Sequence, residues 1–258
     1  MSSGFYADRD SLVHRLHPVT RIVLLLMSFT SAMILEHPLW MALLLFVHAW
    51  VGYRTGVFAG LRKVIWLMFL VGFASFGIWS LSYGGPTAVL SAGPLTVTRE
   101  GMLFGGGMGI RLDLMILSGL IFLASTPIEE LTYGLTRMGV PFPVGFALSL
   151  SFRLVTLFTD TVTDILDAQK ARGLEIKGGP IARVKIYVPL LVPVFASAMR
   201  RADQLAVALE SKGFGMGRKR SSLNEYAAGA RDAIVLIAMA LVIAGLCAAR
   251  YLGYGMVG

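Results

Sequence analysis

Long apolar runs alternate with short polar connections through the first half of the chain, and one further run lies near its end. Several runs reach the roughly 17–25 residues that an α-helix needs to cross about 30 Å of hydrocarbon. The pattern predicts five transmembrane helices, at about 19–35, 39–53, 64–83, 102–125 and 233–250. Moderately apolar helices between 144 and 200 leave this count open by one. The fold class is therefore an all-α polytopic membrane protein.

The distribution of cations predicts the orientation of these helices. Basic residues are present before the first run and in the 54–63 loop, whereas the 36–38 and 84–100 connections carry little charge. The positive-inside rule then places the N-terminus in the cytoplasm and, after four crossings, residues 126–231 as well. This gives three regions: membrane helices in 1–125, a cytoplasmic segment in 126–231 and a last transmembrane helix in 232–258. The Gly/Ser/Thr/Pro-rich stretch before Glu100 is either a small hairpin or irregular.

Three helices are predicted in the cytoplasmic segment. Thr126 is a candidate N-cap, with Pro127 at the first helical position and Glu129 at the capping-box spacing. This helix should stop near Gly139. Two long helices follow, at about 144–172 and 180–212, and the second should bend at prolines 189 and 193.

The ends of the two long helices carry matching tripeptides. Ala171-Arg172-Gly173 and Ser211-Lys212-Gly213 each place a cation on the last turn of a helix with a glycine just beyond. One interpretation is a simple helix stop, since glycine is the commonest residue after a helix and a cation opposes the helix dipole. The other is that both cations bind acidic grooves on a soluble partner. Arginine would then hold a carboxylate through two hydrogen bonds, and lysine through one point charge.

Other polar positions have two interpretations each. Asp160, Asp164 and Asp167 share one face of the first long helix. This face is either solvated or, at Asp164 or Asp167, paired with a cation of the second long helix (Arg200 or Arg201). The run from Gly105 to Gly109 lacks the strand and the Lys-Ser/Thr of a phosphate loop and favours close helix packing. Arg111 and Asp113 lie inside an apolar run two residues apart, on different faces. They either orient the helix or contact a membrane partner, or they lie at the lipid interface.

Composition narrows the function classes. The chain has 258 residues, of which 56% are hydrophobic, and a net charge of +8. Its basic residues are scattered through loops and are not interleaved with aromatics, which argues against nucleic-acid binding. The four histidines and one cysteine form no metal spacing, and no catalytic constellation is visible, so no cofactor and no enzyme activity are expected.

Five segments of the chain resemble a known family, the transmembrane T components of energy-coupling factor (ECF) transporters of the CbiQ/EcfT type. They are residues 11–21 (SLVHRLHPVTR), 125–131 (STPIEEL), 135–141 (LTRMGVP), 168–173 (AQKARG) and 208–215 (ALESKGFG). The family's two motifs usually read small-Arg-Gly. This chain matches at Arg172 and departs at Lys212, which weakens the expectation for the second contact.

The resemblance implies a non-catalytic subunit of an ATP-driven importer in the bacterial cytoplasmic membrane. Long coupling helices would cross in an X, and Ala171, Arg172, Gly173, Ser211, Lys212 and Gly213 would dock two ATPase subunits. The movement would pass to a membrane-embedded S component that binds a vitamin, cobalt or nickel and sets the substrate. The alternative is a self-contained secondary transporter or channel, which requires a polar pathway through the membrane helices.

Overall fold

The computed structural model describes residues 13–34, 37–56, 62–84, 87–92, 95–174, 180–216 and 226–252. The helices are α1 (Pro18–Ile34), α2 (Pro38–Thr55), α3 (Arg62–Ser82), α4 (Arg99–Ser125), α5 (Ile128–Arg137), α6 (Phe142–Ala171), α7 (Pro180–Ser211) and α8 (Ala230–Tyr251). The chain forms two compact units. The first unit comprises Met1–Val140 and Tyr226–Gly258, and the second unit comprises Pro141–Glu225.

Each predicted apolar run forms a helix, and the all-α membrane class is confirmed. Among the described residues, four helices are long and apolar enough to span a bilayer: Ile65–Ser82 of α3, α4, α6 and α8, while α1 is a shorter apolar helix. Helix α6 lies in the segment predicted to be cytoplasmic. The count of five spans and the three-region division stay predictions.

Helix α4 is the central helix of the first unit and packs against α1, α2 and α3. Its side chains complete two buried apolar clusters. One contains Ala32, Met41, Leu44 and Leu114. The other contains Leu117, Ile121 and Ala124. Lipid tails are as apolar as these side chains, so the clusters stabilise the contacts of α4 through van der Waals packing and not through removal of apolar surface from water.

Glycines on one face of α4 allow α3 to approach closely. A Cβ added at Gly105 would lie 2.9 Å from the carbonyl oxygen of Phe76, and one at Gly109 would lie 2.8 Å from that of Gly72. Gly101 is equally close to the carbonyl oxygen of Tyr83, at 2.7 Å. The close packing predicted from the glycine run is therefore confirmed.

The connection between α3 and α4 contains a hairpin, which settles the open alternative. Strands β1 (Ala88–Ala92) and β2 (Leu95–Thr98) pair antiparallel. Thr98 then caps α4, because its Oγ1 accepts a hydrogen bond from the Gly101 N–H at 3.1 Å.

The predicted cap at Thr126 is wrong. Helix α5 begins at Ile128 with Pro127 in the N-cap position, and no side chain caps it. Thr126 instead ends α4, and its buried Oγ1 has no hydrogen-bond partner in the described part of the chain. Because Thr126 precedes the helix by two residues, its hydroxyl is too far upstream to serve as the N-cap acceptor. The predicted stop near Gly139 agrees with the end of α5 at Arg137.

The second unit contains α6 and α7, which contact each other. Their bounds differ from the predicted bounds by two residues or fewer, and α7 continues through prolines 189 and 193. The three aspartates of α6 are exposed, which agrees with a solvated face. Asp167 pairs with Lys170 on its own helix at 2.8 Å, and no ion pair joins these aspartates to Arg200 or Arg201 within the described residues.

Candidate functional site

The end of α6 is closed by backbone hydrogen bonds. The N–H of Gly173 donates to the carbonyl oxygen of Lys170 at 2.9 Å, and the N–H of Leu174 donates to that of Gln169 at 3.0 Å. Gly173 has φ +94°, a left-handed conformation that favours glycine. This arrangement is a Schellman motif, which satisfies carbonyl groups left over at a helix end.

The end of α7 repeats this arrangement. The N–H of Gly213 donates to the carbonyl oxygen of Glu210 at 2.9 Å, and that of Phe214 donates to the carbonyl oxygen of Leu209 at 2.9 Å. Gly213 has φ +74°. The two ends are therefore the same backbone structure, and each places its cation at the C-cap, one residue before the left-handed glycine.

Both cations are available to a partner. Arg172 and Lys212 are exposed. In the part of the chain that the structure describes, neither side chain forms a hydrogen bond or an ion pair. The leftover carbonyl groups are bonded by backbone N–H groups, so capping does not require a cation at either position. We call Ala171, Arg172 and Gly173 the first end, and Ser211, Lys212 and Gly213 the second end.

The residue after each glycine differs between the two ends. Phe214 packs against Phe146 and Phe142, with ring centroids 4.7 and 6.2 Å apart. These contacts hold the second end beside the first turns of α6, whereas the first end lies at the far end of that helix. At 1.5 Å per residue, the two cations are separated by roughly 40 Å, close to the length of α6.

Arg111 and Asp113 contact different neighbours within the first unit. The Arg111 Nε donates to the carbonyl oxygen of Ala32 in the last turn of α1, at 3.0 Å. Asp113 lies against Gly72 of α3, where an added Cβ would be 2.7 Å from its Oδ2. Asp113 Oδ1 is buried without a hydrogen-bond partner among the described residues. Arg111 therefore orients α1 against α4, as one of the open interpretations expected.

Sequence reasoning missed the role of Arg21, which is 4% exposed. One guanidinium nitrogen donates to the carbonyl oxygen of Ser125 at 2.5 Å and to Glu130 Oε2 at 2.6 Å, and the other donates to the carbonyl oxygen of His14. Arg21 thus ties the start of α1 to the α4–α5 connection. A charged residue at the start of an apolar run was the available signal.

Asp232 holds α8 to the same region. Its Oδ1 accepts a hydrogen bond from the His17 N–H at 2.7 Å, and its Oδ2 accepts one from the Gly229 N–H at 2.9 Å. Tyr226, just before α8, packs its ring against Tyr133 of α5 at 5.0 Å. Burial raises the pKa of the Tyr226 hydroxyl, and the nearby Glu130 carboxylate adds to this shift.

A protein-family model matches most of the chain. The family model described as CbiQ, cobalt transport protein, matches residues 9–223, which include Arg21 and both candidate ends. The chain belongs to the CbiQ family. This membership agrees with the resemblance inferred from the five sequence segments.

Curated relatives are similar to this CbiQ-family chain over nearly the whole length of both proteins. Three are named energy-coupling factor transporter transmembrane protein EcfT. The protein of Streptococcus thermophilus is 31% identical, with 92% of this chain and 93% of the relative covered. That of Bacillus subtilis is 30% identical with 95% and 96% covered, and that of Heliobacterium modesticaldum is 33% identical with 95% of each covered.

Proposed function

We propose that this chain is the transmembrane energy-coupling subunit of an ATP-driven importer of the energy-coupling factor type. Its two helix ends dock two ATPase subunits in the cytoplasm, which form a homodimer or a heterodimer. Its membrane helices carry a separate S component that binds the substrate, a vitamin or a transition metal ion. The chain itself does not hydrolyse ATP and lies in the bacterial cytoplasmic membrane with its N-terminus inside.

The matched pair of helix ends carries the proposal. Two identical Schellman motifs present exposed cations that take no part in capping. A lone end of this kind is an ordinary helix stop. Two of them, roughly 40 Å apart, suit a partner with two equivalent acidic grooves, such as a pair of related ATPase subunits.

The relatives support this function over the self-contained transporter. Their names describe one transmembrane protein of a multi-component transporter, and they match this chain over more than nine-tenths of its length. A self-contained transporter or channel has no comparable support.

Co-purification tests the proposal. The chain is co-expressed with two ATPase subunits and an S component of the energy-coupling factor type from the same genome, and complexes are isolated through a tag on the chain. Arg172→Ala removes a planar guanidinium, so we expect ATPase retention to fall about tenfold. Arg172→Glu should lower it further through charge repulsion, and Lys212→Ala should lower it less, because lysine provides a single point charge.

Arg200→Ala is the matched control. Arg200 is an exposed cation of the same unit, located within α7 and not at its end. Its removal should leave ATPase retention unchanged. Equal retention by the wild type and the three end variants would contradict docking through these ends.

A further inference from the structure

A cavity of about 510 Å³ lies within the first unit, between α1, α2, α4 and α8. Its lining residues come from the segment just before α1, from the N-terminal two-thirds of α1, from the first half of α8 and from the second half of α2 and α4. They therefore belong to the half of the unit that the charge distribution predicts to be cytoplasmic. Most of the surface is apolar and includes Leu24, Val51, Ile121, Ile234 and Met239. This volume is typical of a small-molecule site.

Two arginines line the same cavity. Arg21 is 4% exposed, and its Nε has no hydrogen-bond partner among the described residues, although its two other nitrogens do. Arg231, in the first turn of α8, is exposed and forms no hydrogen bond or ion pair within the described chain. A buried donor without an acceptor costs stability unless a ligand or water supplies one.

The other polar groups at this end are already engaged. The Glu130 carboxylate pairs with Arg21, and Asp232 accepts hydrogen bonds from two backbone N–H groups. Deeper in the cavity, His48 Nε2 and Ser28 Oγ are within hydrogen-bond distance of each other at 3.1 Å. The donors that remain open are thus cationic and belong to Arg21 and Arg231.

We propose that this cavity binds an anionic phospholipid. One acyl chain occupies the apolar part, and the phosphate accepts hydrogen bonds from Arg231 and the Nε of Arg21. A small soluble anion would leave the apolar lining empty. Phosphatidylcholine also carries a phosphate, but its quaternary ammonium group would be repelled by the two guanidinium groups, whereas phosphatidylglycerol brings no such cation. In the predicted orientation the site faces the cytoplasmic leaflet, whose anionic lipids attract basic residues near the membrane surface.

Native mass spectrometry tests this site. The full chain, or its complex with the other subunits, is released from nanodiscs that contain equal amounts of phosphatidylglycerol and phosphatidylcholine. We expect retention of phosphatidylglycerol in preference to phosphatidylcholine. Arg231→Gln should lower this retention about tenfold, because one charge-assisted hydrogen bond is lost. Val235→Trp, which fills the cavity with an indole, should lower it as much without changing any charge.

Arg54→Ala is the control for general attraction of lipid to basic residues. Arg54 is exposed at the same end of α2, where it lies over the Trp50 ring, and it does not line the cavity. Its removal should leave lipid retention unchanged. If Val235→Trp does not elute as a single species, Met239→Trp fills the cavity from the next turn of α8.

Three results would overturn the proposal. Equal retention of the two lipids by the wild type would exclude a site for anionic lipid. Unchanged phosphatidylglycerol retention in a well-folded filled variant would place the lipid outside the cavity. Displacement of the lipid by glycerol 3-phosphate, which has no acyl chain, would identify a site for a soluble phosphate compound instead of a lipid.

Discussion

Long helices pack differently in the two units. The first unit contains the α3–α4 pair, and the second unit contains the α6–α7 pair. Helices α3 and α4 approach so closely that a methyl group on Gly105 or Gly109 would meet backbone atoms. Helix α7 contains no glycine, and its large apolar side chains, such as Leu191 and Phe195, are 65% and 68% exposed. Exposed apolar side chains are not confined to the second pair, since Phe73 of α3 is 67% exposed. What distinguishes the first pair is the close backbone contact that its glycines allow.

This difference predicts that the first unit determines the stability of the fold and that the helix ends of the second unit determine partner binding. In the first unit, α4 is held by apolar clusters and glycine contacts, and α1 is held by a buried arginine. In the second unit, the two helix ends are held by local backbone caps and by one group of phenylalanines. Substitutions in the first unit should therefore reduce stability, and those at the ends of α6 and α7 should reduce partner binding.

The largest effect is expected from Arg21→Ala. This change leaves Glu130 and the carbonyl oxygen of Ser125 without their donor in a buried setting, which costs about 3–5 kcal/mol of unfolding free energy. Unfolding in detergent, followed by circular dichroism, measures the loss. Arg200→Ala, an exposed arginine of α7, should change the same quantity by less than about 0.5 kcal/mol. Similar losses in the two variants would contradict the contrast between the units.

A smaller loss is expected from Gly109→Leu. The added side chain meets the backbone of Gly72, which cannot rotate away, and overpacking of this kind costs about 1–3 kcal/mol. Gly119→Leu is the matched control, because no atom lies within 4 Å of a Cβ added at that position of the same helix. The same unfolding measurement applies. A Gly109→Leu protein as stable as Gly119→Leu would show that α3 and α4 are able to separate.

The bounds of the helices were predictable from neighbouring residues, whereas contacts between residues far apart in the chain were not. Proline and glycine at the ends of α6 and α7 act on neighbouring residues, so their positions were predictable to within about two residues. The partners of Arg21 lie 104 and 109 residues along the chain, and one sequence carries no signal for such a pairing. Thr126 begins a capping-box sequence, but in the structure it is the C-cap residue of α4.

The two helix ends illustrate both outcomes. Their matching tripeptides predicted a shared structure, and the two Schellman motifs agree with it. The packing of Phe214 on Phe142 and Phe146 was not predicted, because those residues lie about 70 positions earlier in a different helix. A partner's acidic groove lies outside the chain, so its fit to Arg172 and Lys212 stays a prediction.

Removal of the phenylalanine contact should weaken one end selectively. Phe214→Ala removes the rings' packing, worth about 0.5–1.5 kcal/mol, and frees the second end from the start of α6. We expect ATPase retention to fall about fivefold, with little change in unfolding of the first unit. Leu174→Ala is the matched control, because Leu174 follows Gly173 at the first end as Phe214 follows Gly213 at the second end. If Phe214→Ala keeps full retention while Lys212→Ala loses it, the lysine acts without the aromatic support.

The smallest effect is expected from Lys212→Arg, which makes the second end match the first. A guanidinium donates two parallel hydrogen bonds to a carboxylate, and an ammonium binds it as a point charge. We expect ATPase retention to rise roughly threefold, and Arg172→Lys to lower it by a similar factor. Competition between wild-type and variant complexes for a limiting amount of ATPase resolves so small a difference. A fall in retention on Lys212→Arg would indicate that the second groove is shaped for lysine, and the two ends would then have distinct rather than equivalent partners.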